Sequence, residues 1–120
     1  MTLVYLTQCG SFTAVHGHDG TLAEKSHTHT FTYEVTFHGP LNEEGYLIDF
    51  RVLQDFFTRE INARLEGADL NKFFENPTTE TLAVWLFDTI QRQFPQLSGV
   101  KIAEAPDRWI TYTGENEWPK

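Results

Sequence analysis

The sequence has little cysteine, little positive charge and no long apolar run. Its single cysteine, Cys9, excludes an intramolecular disulfide and is typical of a reducing compartment, so we expect a cytoplasmic protein. Lys and Arg number 9 against 17 Asp and Glu, which gives a net charge of -8, whereas binding to a polyphosphate backbone depends on clustered cations. The longest apolar run, residues 82–87, is far shorter than the ~20 residues that span a bilayer. Nucleic acid and membrane are therefore poor candidates as partners.

What the sequence does contain is enough apolar residues for one core. Its 120 residues are 40% hydrophobic and 14% aromatic. No repeat, linker or shift in composition divides the chain. We therefore predict a single domain over residues 1–120, with residues 114–120 as a loose polar tail.

Four segments have the composition or alternation of β-strands. Residues 2–15 are rich in Leu, Val, Tyr, Phe and Thr, and residues 29–37 alternate strictly between polar and apolar. Such alternation predicts a strand with one buried face, which Gly39-Pro40 should end. Residues 100–104 and 109–113 are the third and fourth predicted strands.

Two helices are predicted between these pairs of strands. The first begins at Asp49, an N-cap residue, and carries apolar residues at spacings of three and four up to Leu65. The second begins at Thr78 after Pro77 and ends before Pro95. The order strand, strand, helix, helix, strand, strand predicts an α+β fold, with both helices on one face of a four-stranded antiparallel sheet.

The histidines provide the first candidate site. His27 and His29 lie two residues apart on a strand, so their imidazoles share a face and can bind one metal ion. His16 joins them if the first two strands form a hairpin, and three neutral imidazoles with an open fourth position describe a catalytic zinc site. Two alternatives stay open: His27 and His29 are surface residues, or the loop residue His18 supplies a ligand.

Two glutamates are further candidates. Glu104 shares a face with apolar Val100 and Ile102, so its carboxylate either reaches water at the strand end or binds a ligand with paired N–H donors, such as an aminopyrimidine ring. Glu24 precedes His27 by three residues, and is either a solvated loop carboxylate or a general base beside the metal.

Six motifs in chain order resemble the 6-pyruvoyltetrahydropterin synthase and 6-carboxytetrahydropterin synthase family over nearly the whole chain. They are residues 12–16 (Phe-Thr-Ala-Val-His), 27–31 (His-Thr-His-Thr-Phe), 45–50 (Gly-Tyr-Leu-Ile-Asp-Phe), 65–71 (Leu-Glu-Gly-Ala-Asp-Leu-Asn), 77–80 (Pro-Thr-Thr-Glu) and 100–104 (Val-Lys-Ile-Ala-Glu). Each motif is weak alone, but six in the right order are specific. The resemblance implies the tunnelling fold (T-fold), in which three subunits join their sheets into a barrel and two trimers form a hexamer, with sites between subunits.

The same resemblance assigns the site residues. It implies Zn²⁺ on His16, His27 and His29, which decides against His18 as a ligand. It also implies that Glu104 holds the N–H groups of a pterin ring, with Thr78 and Thr79 nearby.

The sequence departs from the family pattern at the acid–base residues. The family's cysteine has no counterpart in residues 21–26, its Asp-His pair is Glu66-Gly67 here, and the middle glycine of its His-Gly-His is Thr28. Residues 24–29 are instead similar to a Glu-x-x-His-x-His variant, which is associated with cleaving the dihydroneopterin side chain to give 6-hydroxymethyldihydropterin. On this resemblance, Glu24 is the expected base of a zinc-dependent pterin lyase, helped by Glu66.

An alternative function follows from the same departures. Without the usual cysteine and histidine, the chain is a binding protein for a pterin or a purine-like heterocycle that has lost the synthase chemistry or acts on another substrate. For the lyase, the substrate is 7,8-dihydroneopterin or its triphosphate, and the net charge of -8 mildly favours the uncharged ring.

Overall fold

The first two predicted strands form one long antiparallel hairpin. The structure is a computed structural model that describes residues 1–16 and 27–118, and for His27 the backbone alone. Strand β1 (Leu3–His16) pairs with β2 (His27–Pro40) along its full length, from Leu3 opposite Pro40 to His16 opposite His27. The hairpin that brings His16 beside the second strand is therefore present.

Two more strands complete the sheet. β3 (Leu97–Ala105) pairs with β2, and β4 (Arg108–Tyr112) pairs with β3, all antiparallel, in the spatial order β1-β2-β3-β4. The predicted end of the second strand was wrong: β2 continues through Gly39 and Pro40. Proline is tolerated there because it occupies the last position of the strand, opposite Leu3.

Both predicted helices begin at the predicted caps. Helix α1 (Phe50–Phe56) begins after Asp49, whose side chain accepts from the Arg51 N–H. It continues as a π-helix (Phe57–Asn62) and ends in the short α2 (Ala63–Leu65). A 3₁₀ turn (Leu70–Lys72) leads to α3 (Thr79–Gln93).

The core lies between the helices and one face of the sheet. Inward-facing residues of β1 and β2 are fully buried against apolar residues of the helices. The buried residues of the two strands are Phe12, Ala14, Phe31, Tyr33, Val35 and Phe37. This is the predicted α+β architecture. No helix in the described ranges is long and apolar enough to cross a membrane.

The π-helix is held to the sheet by a hydrogen-bonded tyrosine. The Tyr33 hydroxyl donates to Asn62 Oδ1 at 2.8 Å, and Asn62 Nδ2 donates to the Ser11 carbonyl at 3.0 Å. The Tyr33 ring lies over Gly10, where a Cβ atom would overlap the hydroxyl. Burial, followed by the nearby Cys9, raises the pKa of Tyr33 to about 12. This tyrosine is therefore a neutral structural residue.

A short segment after α2 covers the outer edge of β1 near His16. The Gly67 N–H donates to the Thr13 carbonyl at 2.7 Å, and the Val15 N–H donates to the Ala68 carbonyl at 2.9 Å. Asp69 forms a parallel bridge with Val15. Residues 66–69 thus fix the end of β1 that carries the first candidate ligand.

Candidate metal and pterin site

His16 is the most buried polar residue of the candidate site. Its side chain is 1% exposed, and its Nδ1 atom lies 2.9 Å from the Pro77 carbonyl, just before helix α3. Because a carbonyl oxygen only accepts hydrogen bonds, Nδ1 must carry the hydrogen, and the neutral ring then presents the lone pair of Nε2. A second partner that fixes the tautomer of a histidine in this way is typical of metal ligands.

His29 lies beside His16 on the neighbouring strand. Its register partner on β1 is Ala14, and the two imidazole rings are 5.0 Å apart between centroids. The His29 side chain is 31% exposed, whereas that of His16 is closed off. The pair therefore has a buried side and a side that faces solvent.

Glu104 completes a group of three. Its Oε2 atom lies 3.3 Å from His16 Nε2 and 3.8 Å from His29 Nε2, and its side chain is 39% exposed. One potential ligand atom from each residue lies within 4.8 Å of the other two. Glu104 lies at a register shift in β3, where the neighbouring Ala103 is buried and Glu104 itself is partly exposed, and its carboxylate still reaches both histidines.

This donor set fits a divalent transition metal. Two imidazole nitrogens and a carboxylate oxygen are ligands that zinc accepts, and the Nε2 atom of His16 is directed towards the other two donors. The described residues therefore contain a group that can hold a metal ion, with one wall buried and one side open.

Three predicted residues fall wholly or partly outside the described residues. His18 and Glu24 lie within residues 17–26, and for His27 only the backbone, paired with His16, is described. The structure thus brings together two of the three predicted histidine ligands.

The two threonines have different surroundings. The Thr78 hydroxyl accepts from the Thr81 N–H at 3.1 Å, so it caps helix α3. Thr79 lines a cavity of 230 Å³ together with Glu104 and Arg108. Thr79 is therefore next to the carboxylate that was predicted to bind the ring, and Thr78 supports the start of the helix.

Glu66 forms a long-range contact with the backbone. Its Oε2 atom accepts from the Thr13 N–H at 2.7 Å, on the edge of β1. It does not belong to the group of His16, His29 and Glu104. The following Gly67 has φ of +75° and open space around a Cβ.

Three residues near the site were not anticipated from the sequence. The Pro77 carbonyl orients His16, Arg108 lines the cavity of 230 Å³, and Trp109 borders a second cavity of 310 Å³ that also touches Glu104. A backbone carbonyl leaves no signature in residue type. Arg108 and Trp109 follow Glu104 closely in the chain, and this proximity could have indicated that they lie near the site.

A group of residues that could hold a metal ion lies at the end of an antiparallel sheet, beside a helix start, in an α+β fold. Residues 5–115 match the family model described as 6-pyruvoyl tetrahydropterin synthase. The chain belongs to this family, whose members act in pterin metabolism.

Two curated relatives show the range of activities. A dihydroneopterin monophosphate aldolase of Pyrococcus furiosus is 36% identical over 85 residues, which cover 71% of this chain and 73% of the relative. A 6-pyruvoyl tetrahydrobiopterin synthase of Drosophila melanogaster is 35% identical over 97 residues, which cover 73% of this chain and 58% of the relative.

Solved structures confirm the fold. The 6-pyruvoyl tetrahydropterin synthase of Caenorhabditis elegans has a TM-score of 0.84 at 21% identity, over 96% of this chain and 98% of that one. A Plasmodium vivax 6-pyruvoyltetrahydropterin synthase with a catalytic glutamate replaced by alanine has a TM-score of 0.74 at 13% identity, over 93% and 98%. The predicted fold of the single chain, a four-stranded antiparallel sheet with two helices as in these T-fold structures, is therefore present.

Proposed function

We propose that this protein is a zinc-dependent pterin lyase that cleaves the side chain of a dihydroneopterin and yields 6-hydroxymethyldihydropterin. The observation that carries the proposal is the group of His16, His29 and Glu104, with the His16 ring fixed by the Pro77 carbonyl. The relative from Pyrococcus supports this reaction type, because it is an aldolase for dihydroneopterin monophosphate. We therefore add the monophosphate to dihydroneopterin and its triphosphate as candidate substrates.

The proposed ligands of the zinc ion are His16, His27 and His29. When bound, the ion would supply positive charge that lowers the pKa of the substrate's side-chain hydroxyls. The chain's own contribution is orientation: the Pro77 carbonyl holds the His16 ring with Nε2 towards the site. His29 leaves one side open to solvent, which is the direction from which a substrate can enter.

The proposed anchor for the pterin ring is Glu104. An ionised carboxylate accepts two N–H bonds from an aminopyrimidine edge, and such charge-assisted bonds are the stronger kind. Thr79 lines the same cavity of 230 Å³ and can add a hydroxyl contact. Thr78 acts in this proposal by capping the helix that carries Thr79.

The proposed base is Glu24. It takes the proton of the hydroxyl on the second side-chain carbon, the bond between the first and second carbons breaks, and the electron pair moves into the ring imine. The first carbon is then protonated, so the products are 6-hydroxymethyldihydropterin and glycolaldehyde or its phosphate. A glutamate is a catalytic residue of the Plasmodium vivax enzyme, which supports a carboxylate as a catalytic group in this fold. Glu66 is the second proposed acid–base group, with one oxygen fixed at Thr13.

The proposed assembly is a homohexamer made of two trimers, with sites between subunits, in the cytoplasm. The single domain of residues 1–120 would be its repeating unit. In support, β1 and β4 are the two edge strands of the sheet. Residues 66–69 cover the outer edge of β1 only near Thr13 and Val15, so its earlier part and β4 are placed to pair with neighbouring copies.

A second candidate function is pterin binding without turnover. Gly67 favours this second function, because the family's Asp-His pair has its histidine at this position and glycine carries no imidazole.

The test is mass spectrometry of products after zinc-loaded protein is incubated separately with dihydroneopterin, its monophosphate and its triphosphate. We expect the mass of 6-hydroxymethyldihydropterin from at least one of them, and its loss in Glu24→Gln but not in the control Glu44→Gln. Intact substrate in all three incubations, with tight binding of dihydroneopterin, would establish the binding protein instead.

A further inference from the structure

Glu104 lies closer to both histidines than an anchor for a substrate ring needs to be. One atom, Oε2, is 3.3 Å from His16 Nε2 and 3.8 Å from His29 Nε2. In a tetrahedral zinc site with bonds of about 2.0–2.1 Å, two neighbouring donor atoms are about 3.3–3.4 Å apart. The distance between His16 Nε2 and Glu104 Oε2 matches this spacing, and the distance from His29 Nε2 is somewhat longer.

The tautomer of His16 supports the same conclusion. Nδ1 carries its hydrogen towards the Pro77 carbonyl, so Nε2 is the nitrogen that faces Glu104. A metal ion bound between this nitrogen and the carboxylate oxygen would receive a lone pair from each of them.

We propose that Glu104 is a direct ligand of the metal ion in the substrate-free protein, alongside His16 and His29. This inference rests on the metal site of the proposed function and adds a role to Glu104 there. A pterin ring that binds this carboxylate must draw it away from the ion. Binding of the ring and binding of the metal then oppose each other in the free protein, and the effect is the same in both directions.

The decisive experiment places a thiolate at this position. Glu104→Cys is loaded with Co²⁺ and its absorption spectrum is compared with that of the wild type, which corrects for Cys9. A ligating thiol is deprotonated by the metal and gives a thiolate-to-cobalt charge-transfer band. We expect this band in Glu104→Cys and not in Glu80→Cys, the matched control, because Glu80 lines the same cavity of 230 Å³ outside the metal group. Equal spectra for the two variants would overturn the inference.

Zinc affinity gives an independent measurement. In competition with a chromophoric chelator, we expect Glu104→Gln to bind Zn²⁺ at least about tenfold more weakly than the wild type, since even outer-shell partners contribute that much. Glu80→Gln should retain the wild-type affinity. Unchanged affinity in Glu104→Gln, with zinc lost in His16→Ala and His29→Ala, would refute the ligand role while the proposed metal site stands. Full zinc binding in the two histidine variants would instead refute the proposed metal site itself.

Discussion

Raising the pH above 10 should destabilise this protein through Tyr33. Its side chain is 2% exposed, and its pKa is raised to about 12 from the usual 10, first by burial and then by Cys9. A phenol whose pKa is higher in the folded state contributes stability that is complete below pH 10 and is lost as the pH rises through 12. A rise of this size corresponds to roughly 3 kcal/mol in the free energy of unfolding.

Urea unfolding at intervals between pH 8 and 12 measures this loss. For the wild type, Tyr33 should contribute a downward slope of at most about 1.4 kcal/mol per pH unit between pH 10 and 12. Tyr33→Phe should be less stable at pH 8 by about 1–3 kcal/mol, because Asn62 Oδ1 loses its donor. Its stability should then fall less steeply with pH than that of the wild type.

The matched control is Tyr5→Phe, since Tyr5 is 70% exposed. It should keep the wild-type slope, because the buried Tyr33 is intact in this variant and the substituted ring is largely exposed. All other titrating groups are shared by the three proteins and cancel in the comparison. If Tyr33→Phe loses stability above pH 10 as steeply as the wild type and Tyr5→Phe, the argument from burial is wrong.

Two further substitutions test packing and capping. Gly10→Ala should lower the free energy of unfolding by about 1–3 kcal/mol, because the new Cβ overlaps the Tyr33 hydroxyl. In the control Gly99→Ala the new Cβ meets its neighbours at ordinary contact distance, so the loss should be smaller. Equal losses in thermal unfolding would contradict this account. Thr78→Ala should lower the free energy of unfolding by about 1 kcal/mol, because the Thr81 N–H loses its cap. Thr78→Ser should retain most of the wild-type stability, since serine also provides a hydroxyl. No loss of stability in Thr78→Ala would show that the cap is dispensable.

Local patterns were sufficient to predict most of the fold. Alternation in residues 29–37 predicted the buried face of β2, and the caps at Asp49 and Thr78 predicted where the helices begin. The π-helix was not predictable in this way, because its last residue, Asn62, is held by Tyr33 and Ser11 from distant strands. The continuation of β2 through Pro40 likewise depends on its partner strand.

The site was predictable where residue type carries the chemistry. The approach of His16 to the strand of His29 was predicted from a hairpin of the first two strands. The approach of Glu104 to both histidines was not predicted, because it depends on how β3 lies against β2. The contact of Glu66 with the Thr13 N–H spans 53 positions and involves the backbone, so the sequence gives no sign of it. The roles of His27 and Glu24 stay predictions.

The position at which helix α3 begins has a consequence for the chemistry of His16. In an α-helix one residue longer at its N-terminus, the Thr81 N–H would bond to the Pro77 carbonyl, four residues earlier. The Thr78 hydroxyl takes that N–H instead, so the helix starts one residue later and the Pro77 carbonyl receives the His16 Nδ1–H. By capping the helix, Thr78 thus leaves the Pro77 carbonyl to His16 Nδ1 and so influences which nitrogen of the imidazole faces the site.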